Sequence, residues 1–385
     1  MKINSVFKKL EGKYIRYQHN LLENLKYRIK IKKLKKQIGK IVPFTKTTHI
    51  NDKTVAIIEP NPFHAETIPG YIKYFIDLGY NIDVFLTIES AYEKPFILMP
   101  QKFRLFIGEQ KNIQEWVRYK NMINYSVIFF NTLIHNATLK FMPSLLPYGC
   151  KKIIGVEHSK EAYAEWLKGN HDYEELKSNG MVSTLSYMEN YKHINPNYFG
   201  CITVNSKNSD KIIFVVIGSI SRLDNIGLLL NAVLALKQSY NNSFEVHIIG
   251  SGHIDIPIDL QQNIKHLGRL DFPSMYKELE KSDYILAMLD PLSPLHSTYL
   301  NGTTSGSIQL SLGFCKPLII NSIFAEKYIL SNKEAIIYED SDLYKAMKIS
   351  IEMTNEKYNL LQQCIEKLRS TIYNESLESI KKMIQ

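Results

Sequence analysis

Cysteine is scarce in this chain, with four residues in 385, at Cys150, Cys201, Cys315 and Cys364. They lie far apart and form neither a CxxC pair nor a Cys/His cluster of zinc spacing, so they read as ordinary reduced thiols and no metal is expected. No stretch reaches the roughly 18 apolar residues a membrane span needs, and the first residues lack the apolar block of a secretory signal, which points to the cytosol. A Walker A motif is missing. The three spaced glycines of a dinucleotide fingerprint are missing too. Gly250-Ser251-Gly252-His253-Ile254-Asp255 puts Asp255 where the third glycine belongs, Ile217-Gly218-Ser219 has one glycine, and Glu59-Pro60-Asn61-Pro62 has none. Phosphate-loop and dehydrogenase chemistry both fall behind. No repeat of solenoid period is present either.

Positive charge is plentiful, but it is local. The formal net charge is +9, and residues 1–40 hold 13 Lys/Arg against two acids, Glu11 and Glu23. The remaining 34 basic and 36 acidic residues leave the body near neutral, which argues against a nucleic-acid enzyme with a basic working face. Within the arm, Ile3, Phe7, Leu10, Tyr14, Tyr17, Leu21 and Leu25 recur at three- and four-residue steps, followed after a phase shift by Ile31, Leu34, Ile38 and Ile41. This spacing predicts a basic amphipathic helix, suited to an anionic membrane surface or to docking on the body or a second subunit.

Beyond the arm, with 45% of residues hydrophobic, the chain is long enough for two cores. Short runs apolar on both faces alternate with helix-length segments: 54–59, 82–86, 103–107, 126–130 and 152–156, then 212–217, 245–249, 264–267, 284–288, 317–320 and 335–338. Such runs describe parallel strands covered by helices. The predicted fold class is α/β, two tandem doubly wound Rossmann-like domains preceded by the arm. The expected divisions are 1–48 for the arm, 49–205 for an acceptor-binding domain, and 206–385 for a nucleotide-binding domain with C-terminal helices. The join is placed near 195–210, where Asn195-Pro196-Asn197 and Asn205-Ser206-Lys207-Asn208-Ser209 crowd turn formers together.

In open parallel sheets ligands bind beyond the carboxyl ends of the strands, so candidate residues are sought only there. In the second half these ends carry Gly218 and Ser219 with Arg222 close by, Gly250 and Gly252, and Gly268-Arg269. The segment from Asp290 adds His296 and the run Thr303-Thr304-Ser305-Gly306-Ser307. Small residues admit a ligand to the backbone. Hydroxyls and glycines just before a helix supply N–H groups and the positive end of its dipole, which suits a diphosphate beyond the need of a plain cap. Arg222 would neutralise a phosphate that gains charge as it leaves. In the first half the strand ends carry His64 and Glu66, Asn131-Thr132 with His135 nearby, and Glu157-His158. Histidines and glutamates meeting at one rim suit hydroxyl binding or proton transfer, and His158, Glu157, His64 and Glu66 are the catalytic candidates.

An ordered set of short motifs then stands out: Gly218 to Ala232 with Arg222-Leu223 inside, Ile248-Ile249-Gly250-Ser251-Gly252, Ile264 to Gly268, Ser282-Asp283-Tyr284 leading to Asp290-Pro291, and Gly313 to Ile319. Over roughly residues 210–340 this succession resembles the donor domain of GT-B glycosyltransferases, particularly the large retaining group often called family four. Val156-Glu157-His158 is similar to that group's acceptor-domain histidine. The resemblance implies a metal-independent hexosyltransferase without a cofactor, using a nucleotide sugar as co-substrate and a glycan or lipid-linked acceptor in surface polysaccharide or lipopolysaccharide synthesis. It implies a cytoplasmic protein, peripheral at the inner face of the membrane, and no nucleic-acid partner. Two departures stand beside it: the group's paired glutamates are replaced by residues 303–309 without a glutamate, and Asp224-Asn225-Ile226-Gly227 lacks its lysine. An epimerase of the same fold and a non-catalytic binding subunit are the alternatives.

Overall fold

Strands apolar on both faces must be covered on both faces, and the chain solves this twice. The computed structural model describes residues 25, 28–29, 31–33, 53–100, 102–113, 125–133, 152–159, 168–169, 171–188, 193–220 and 225–385. The first sheet contains β1 (Thr54–Glu59), β2 (Asn81–Thr87), β3 (Arg104–Gly108), β4 (Val127–Phe130), β5 (Ile153–Glu157) and β6 (Val182–Thr184), in the order β3-β2-β1-β4-β5-β6. Every pairing is parallel, with Val55 opposite both Ile82 and Val127. The second sheet repeats the order with β7 (Ile212–Ile217), β8 (Phe244–Ile249), β9 (Ile264–Gly268), β10 (Tyr284–Leu286), β11 (Leu318–Asn321) and β12 (Ala335–Tyr338), arranged β12-β11-β10-β7-β8-β9. Both are the doubly wound order, with strand direction of travel reversing at β1/β4 and β7/β10. The two Rossmann-like sheets match the sequence expectation. β6 was not anticipated, since three residues give no readable alternation.

Helices follow in chain order as α1 (Ile68–Asp77), α2 (Ile88–Tyr92), α3 (His171–Ser178), α4 (Ile226–Tyr240), α5 (Phe272–Lys281), α6 (Gly306–Phe314), α7 (Ser322–Lys327), α8 (Leu343–Glu352) and α9 (Asn355–Ile384). α1 starts with Pro69 in its first turn, where a missing N–H is harmless, and buries Ile68, Ile72 and Phe75. Each such side chain is worth roughly 1.5–3 kcal/mol of burial. In the second sheet, Phe214, Val216, Leu286, Met288 and Tyr338 pack with α4 and α8. The opposite face, with Val215, Ile285 and Ile320, packs in a core shared with α5 and α6.

The join between halves begins buried and then runs largely exposed over residues 201–210. Ile194, Asn195, Asn197 and Phe199 are almost wholly covered. A side chain at Gly70 in α1 would strike Pro196 at 2.5 Å, so this glycine is what lets the join cross α1 closely. α9 buries Tyr358, Leu361, Ile365, Ile372, Ser376, Ile380 and Met383, a stripe at three- and four-residue steps. Its first half serves the second sheet, with the Tyr358 hydroxyl donating to Asp283 O at 2.9 Å. Its second half returns to the first, where Tyr373 stacks on Tyr74 at 4.8 Å and Ser376 Oγ accepts from Asn195 N at 3.0 Å. Of the basic arm, Leu25, Arg28, Ile29 and residues 31–33 are helical, with Ile31 buried and Leu25 and Ile29 exposed; the rest of it lies outside the described residues. Among the described residues no helix is long and apolar enough to cross a membrane.

Candidate active site at the facing strand ends

The reversal point of the first sheet puts the end of β1 beside the end of β4, and a polar network fills it. Glu59 is fully buried and accepts four hydrogen bonds. Asn61 N (2.9 Å) and Asn61 Nδ2 (2.6 Å) reach Oε1, while Asn131 Nδ2 (2.6 Å) and Thr132 Oγ1 (2.6 Å) reach Oε2. Burial lifts the Glu59 carboxyl to about 7, against the opposing pull of Thr132, His64, Asn131 and Asn61. Asn131 Nδ2 also donates to His64 O at 2.9 Å, and Asn131 Oδ1 accepts from Thr67 Oγ1 at 2.6 Å. This clamp holds His64 in the left-handed region, at φ 64, which a residue with a Cβ enters only at a cost.

The clamp presents His64 to His158, which follows β5. Their rings meet edge to face with centroids 4.4 Å apart. His158 Nε2 lies 2.9 Å from Asn131 O. A carbonyl only accepts, so Nε2 carries the proton and Nδ1 keeps its lone pair. Burial, and then the neighbouring His64, push the His158 pKa down to about 3, so the ring is neutral at physiological pH. His64 is displaced the other way. Burial works against its charged form, but Glu66, whose Oε1 lies 3.7 Å from Nδ1, and Glu59 outweigh it and raise its pKa above the ordinary histidine value. Two imidazoles in contact therefore differ in basicity, the arrangement from which acid–base roles are assigned.

Of the four catalytic candidates, the structure brings His64, Glu66 and His158 together. Glu157 is occupied on the sheet itself, its carboxylate accepting from the Tyr173 hydroxyl (2.7 Å) and Thr184 Oγ1 (2.9 Å). His135 lies outside the described residues. Glu59 is the addition, and Asn131 and Thr132, read in the sequence as a polar strand end, turn out to be its partners; only topology makes the ends of these two strands neighbours.

On the second rim, Gly218 has φ 143 and Gly252 φ 124, conformations that favour glycine. A side chain at Gly250 would lie 1.7 Å from Gly218 O, so Gly250 keeps the ends of β7 and β8 in close contact. Ser219 sits between them at the rim, and Arg222 lies outside the described residues. Arg269 reaches the first half, with Nη2 3.0 Å from Glu93 Oε1. His296 is buried, and its Nδ1 accepts from Asp290 N at 2.8 Å, shaping the loop after β10. The hydroxyl run divides its tasks. Thr303 O accepts from the Tyr328 hydroxyl at 2.7 Å, Thr304 Oγ1 donates to Leu185 O at 3.2 Å, and Ser305 Oγ caps α6 by accepting from Ser307 N at 3.3 Å. The space beside Gly306 is open, and the Ser307 hydroxyl makes no hydrogen bond among the described residues. Among the described residues no group of three His, Cys, Asp or Glu side chains is arranged to hold a metal ion.

Leu185 directly follows β6, so the Thr304 bond ties the approach to α6 to the carboxyl edge of the first sheet. This two-sheet arrangement is similar to that of Alr3699/HepE from Anabaena, solved in complex with UDP and glucose, at 12% identity and a TM-score of 0.54 over 86% of this chain and 99% of that one. It is likewise similar to AviGT4, a glycosyltransferase involved in avilamycin A biosynthesis, at 12% identity and a TM-score of 0.51 over 86% and 98% of the two chains. The chain has the GT-B fold. By sequence, no family model and no curated protein matches it. Within the GT-B frame, the histidine rim belongs to the first domain and the α6 rim to the second.

Proposed function

We propose that the protein is a glycosyltransferase that moves a sugar from a nucleotide-sugar donor held by the second domain to a hydroxyl held at the histidine rim of the first. The observation that carries this reading is the meeting of the two rims, where Thr304 of the α6 approach bonds Leu185 beyond β6. The start of α6, with Gly306 open and Ser307 unspent, suits the donor diphosphate. The Alr3699/HepE structures hold UDP and UDP-glucose, which makes a uridine diphosphate sugar the first donor to test.

In this reading His158 accepts a hydrogen bond from the acceptor hydroxyl through Nδ1 and orients it. With a pKa near 3 it is too weak a base to take the proton, so His64, when neutral, receives it. The bond between the anomeric carbon and the phosphate oxygen breaks as the acceptor oxygen bonds that carbon from the face the phosphate vacates, and the nucleoside diphosphate leaves with the electron pair. We further propose a metal-independent reaction with retention, and a glycan or lipid-linked acceptor met at an anionic membrane surface through residues 1–40. Such a setting fits the assembly of a surface polysaccharide or lipopolysaccharide.

The test is incubation with UDP-, GDP- and TDP-sugars, with and without glycan acceptors, in the presence of EDTA. Acceptor-dependent nucleotide release supports transfer. Epimerised donor would establish the epimerase instead, and donor binding without turnover the non-catalytic subunit.

A further inference from the structure

The second domain carries a cavity that the transfer reading does not use. It has a volume of about 510 Å3 and opens beyond the carboxyl ends of β10, β11 and β12. Its wall includes Tyr338, on the sheet face packed against α4 and α8, whereas α6 packs in the core of the other face. The volume falls within the range of small-ligand sites, about 300–1,000 Å3.

The lining has a one-sided chemistry. Among the described residues it contains the carboxylates of Asp290, Glu339 and Asp340 and no Lys, Arg or His, a lining that disfavours an anion. It also contains polar groups that make no hydrogen bond among the described residues. Tyr338 is only 4% exposed, yet its hydroxyl makes no hydrogen bond among the described residues. Asn225 Oδ1 is buried without a partner among the described residues. Unpaired polar atoms at a cavity wall are costly unless a ligand or water completes them. Asp290 spends Oδ1 on Leu292 N at 2.9 Å, and its other oxygen has no bond among the described residues.

The wall is also rigid. Asn321 Oδ1 accepts from Ile323 N (3.0 Å) and its Nδ2 donates to Asp340 O (3.2 Å), while the buried His296 fixes Asp290 through its backbone N–H. At the mouth the apolar side chains of Leu292 and Ile323 are 90% and 47% exposed. The complement of these features carries several hydroxyl or ammonium donors, an apolar C–H face and no negative charge.

We propose that this cavity is a second ligand site, for a non-anionic sugar unit. Its lining uses neither the histidine pair nor the start of α6, so the site stands whether or not the chain transfers sugar.

Saturation-transfer NMR on the full chain tests it, with glucose, glucosamine and glucose 6-phosphate as separate probes. Glucose or glucosamine should receive saturation at millimolar concentration, and glucose 6-phosphate at least tenfold less. Tyr338→Phe should keep the parent melting temperature, because the hydroxyl makes no hydrogen bond among the described residues, and weaken sugar binding by about threefold to tenfold. Ile323→Trp, at an exposed position on the mouth, should reduce the signal to background. The site is overturned if no sugar binds at about 50 mM, where a millimolar site is nearly full. Equal binding of the phosphorylated sugar overturns it as well, as does binding that survives both substitutions.

Discussion

His158 and His64 share an edge-to-face contact but differ in basicity, and that difference separates their proposed roles. In the proposed reaction the neutral His158 orients the acceptor hydroxyl through Nδ1, so His158→Ala should lower turnover by ~100-fold while leaving donor affinity nearly unchanged. Steady-state kinetics and donor titration on the folded variant check this; near-parent turnover would make His158 a structural tie to Asn131. Glu59 yields a different measurement. Its folded pKa of about 7 lies above the ordinary 4.5, so its contribution to stability, about 3 kcal/mol, is present below the unfolded value and is lost as pH rises through about 7. Glu59→Gln keeps the uncharged shape, and its melting temperature should fall less than the parent's between pH 5 and pH 8. The histidines were legible in the sequence as polar residues at strand ends. Glu59 was not, because its four donors come from Asn61, Asn131 and Thr132, and the last two lie 72 and 73 residues away.

At the scale of elements, the start of α6 separates two roles that its sequence leaves merged. Five hydroxyl or glycine residues in succession signal both a cap and an anion site; the geometry gives the cap to Ser305, while the Ser307 hydroxyl makes no hydrogen bond among the described residues and is the one proposed to meet the diphosphate. Ser305→Ala should therefore cost ~1 kcal/mol of stability. Ser307→Ala should leave the melting temperature alone and weaken nucleoside diphosphate binding by about tenfold or more, the worth of a hydrogen bond to a charged group. Calorimetric titration with UDP alongside melting curves separates the two, and identical behaviour of both variants would count against the diphosphate site. The long strands were readable because both faces are apolar, as in Ile212–Ile217. β6, three residues at the edge of its sheet, was not. Yet it is β6 that brings Leu185 to Thr304 and so joins the rims.

For the whole molecule, the last helix decides how the halves hold together. Helical periodicity reveals a buried stripe on α9 but not its partners, and the partners change midway along it. Up to Arg369 they belong to the second domain and the join: Gln362 Nε2 donates to Cys315 O at 3.2 Å and to Asn205 O at 3.0 Å, Arg369 Nη1 donates to Gly313 O at 3.3 Å, and Asn197 Nδ2 donates to Arg369 O at 3.4 Å. Beyond it they belong to the first: Tyr373 bonds Asp77, Glu375 lies 3.3 Å from His193, and Ser376 meets Asn195. A stop after Arg369 would thus remove Ile372, Ile380 and Met383 from the core that contains Val55, Val84 and Phe129 of the first sheet, together with the polar ties to Asp77, His193 and Asn195. Each of these side chains contributes roughly 1.5–3 kcal/mol by burial, so the loss is large beside the 5–15 kcal/mol that typically holds a domain together. The truncated chain should lose amide-exchange protection in β1, β2, β4 and β5 while β7, β8 and β11 keep most of theirs. Hydrogen exchange with mass spectrometry reads both sets at once. Protection lost equally from the two sheets would mean that α9 stabilises the molecule as one cooperative unit, and protection kept in both would mean that its second half is dispensable.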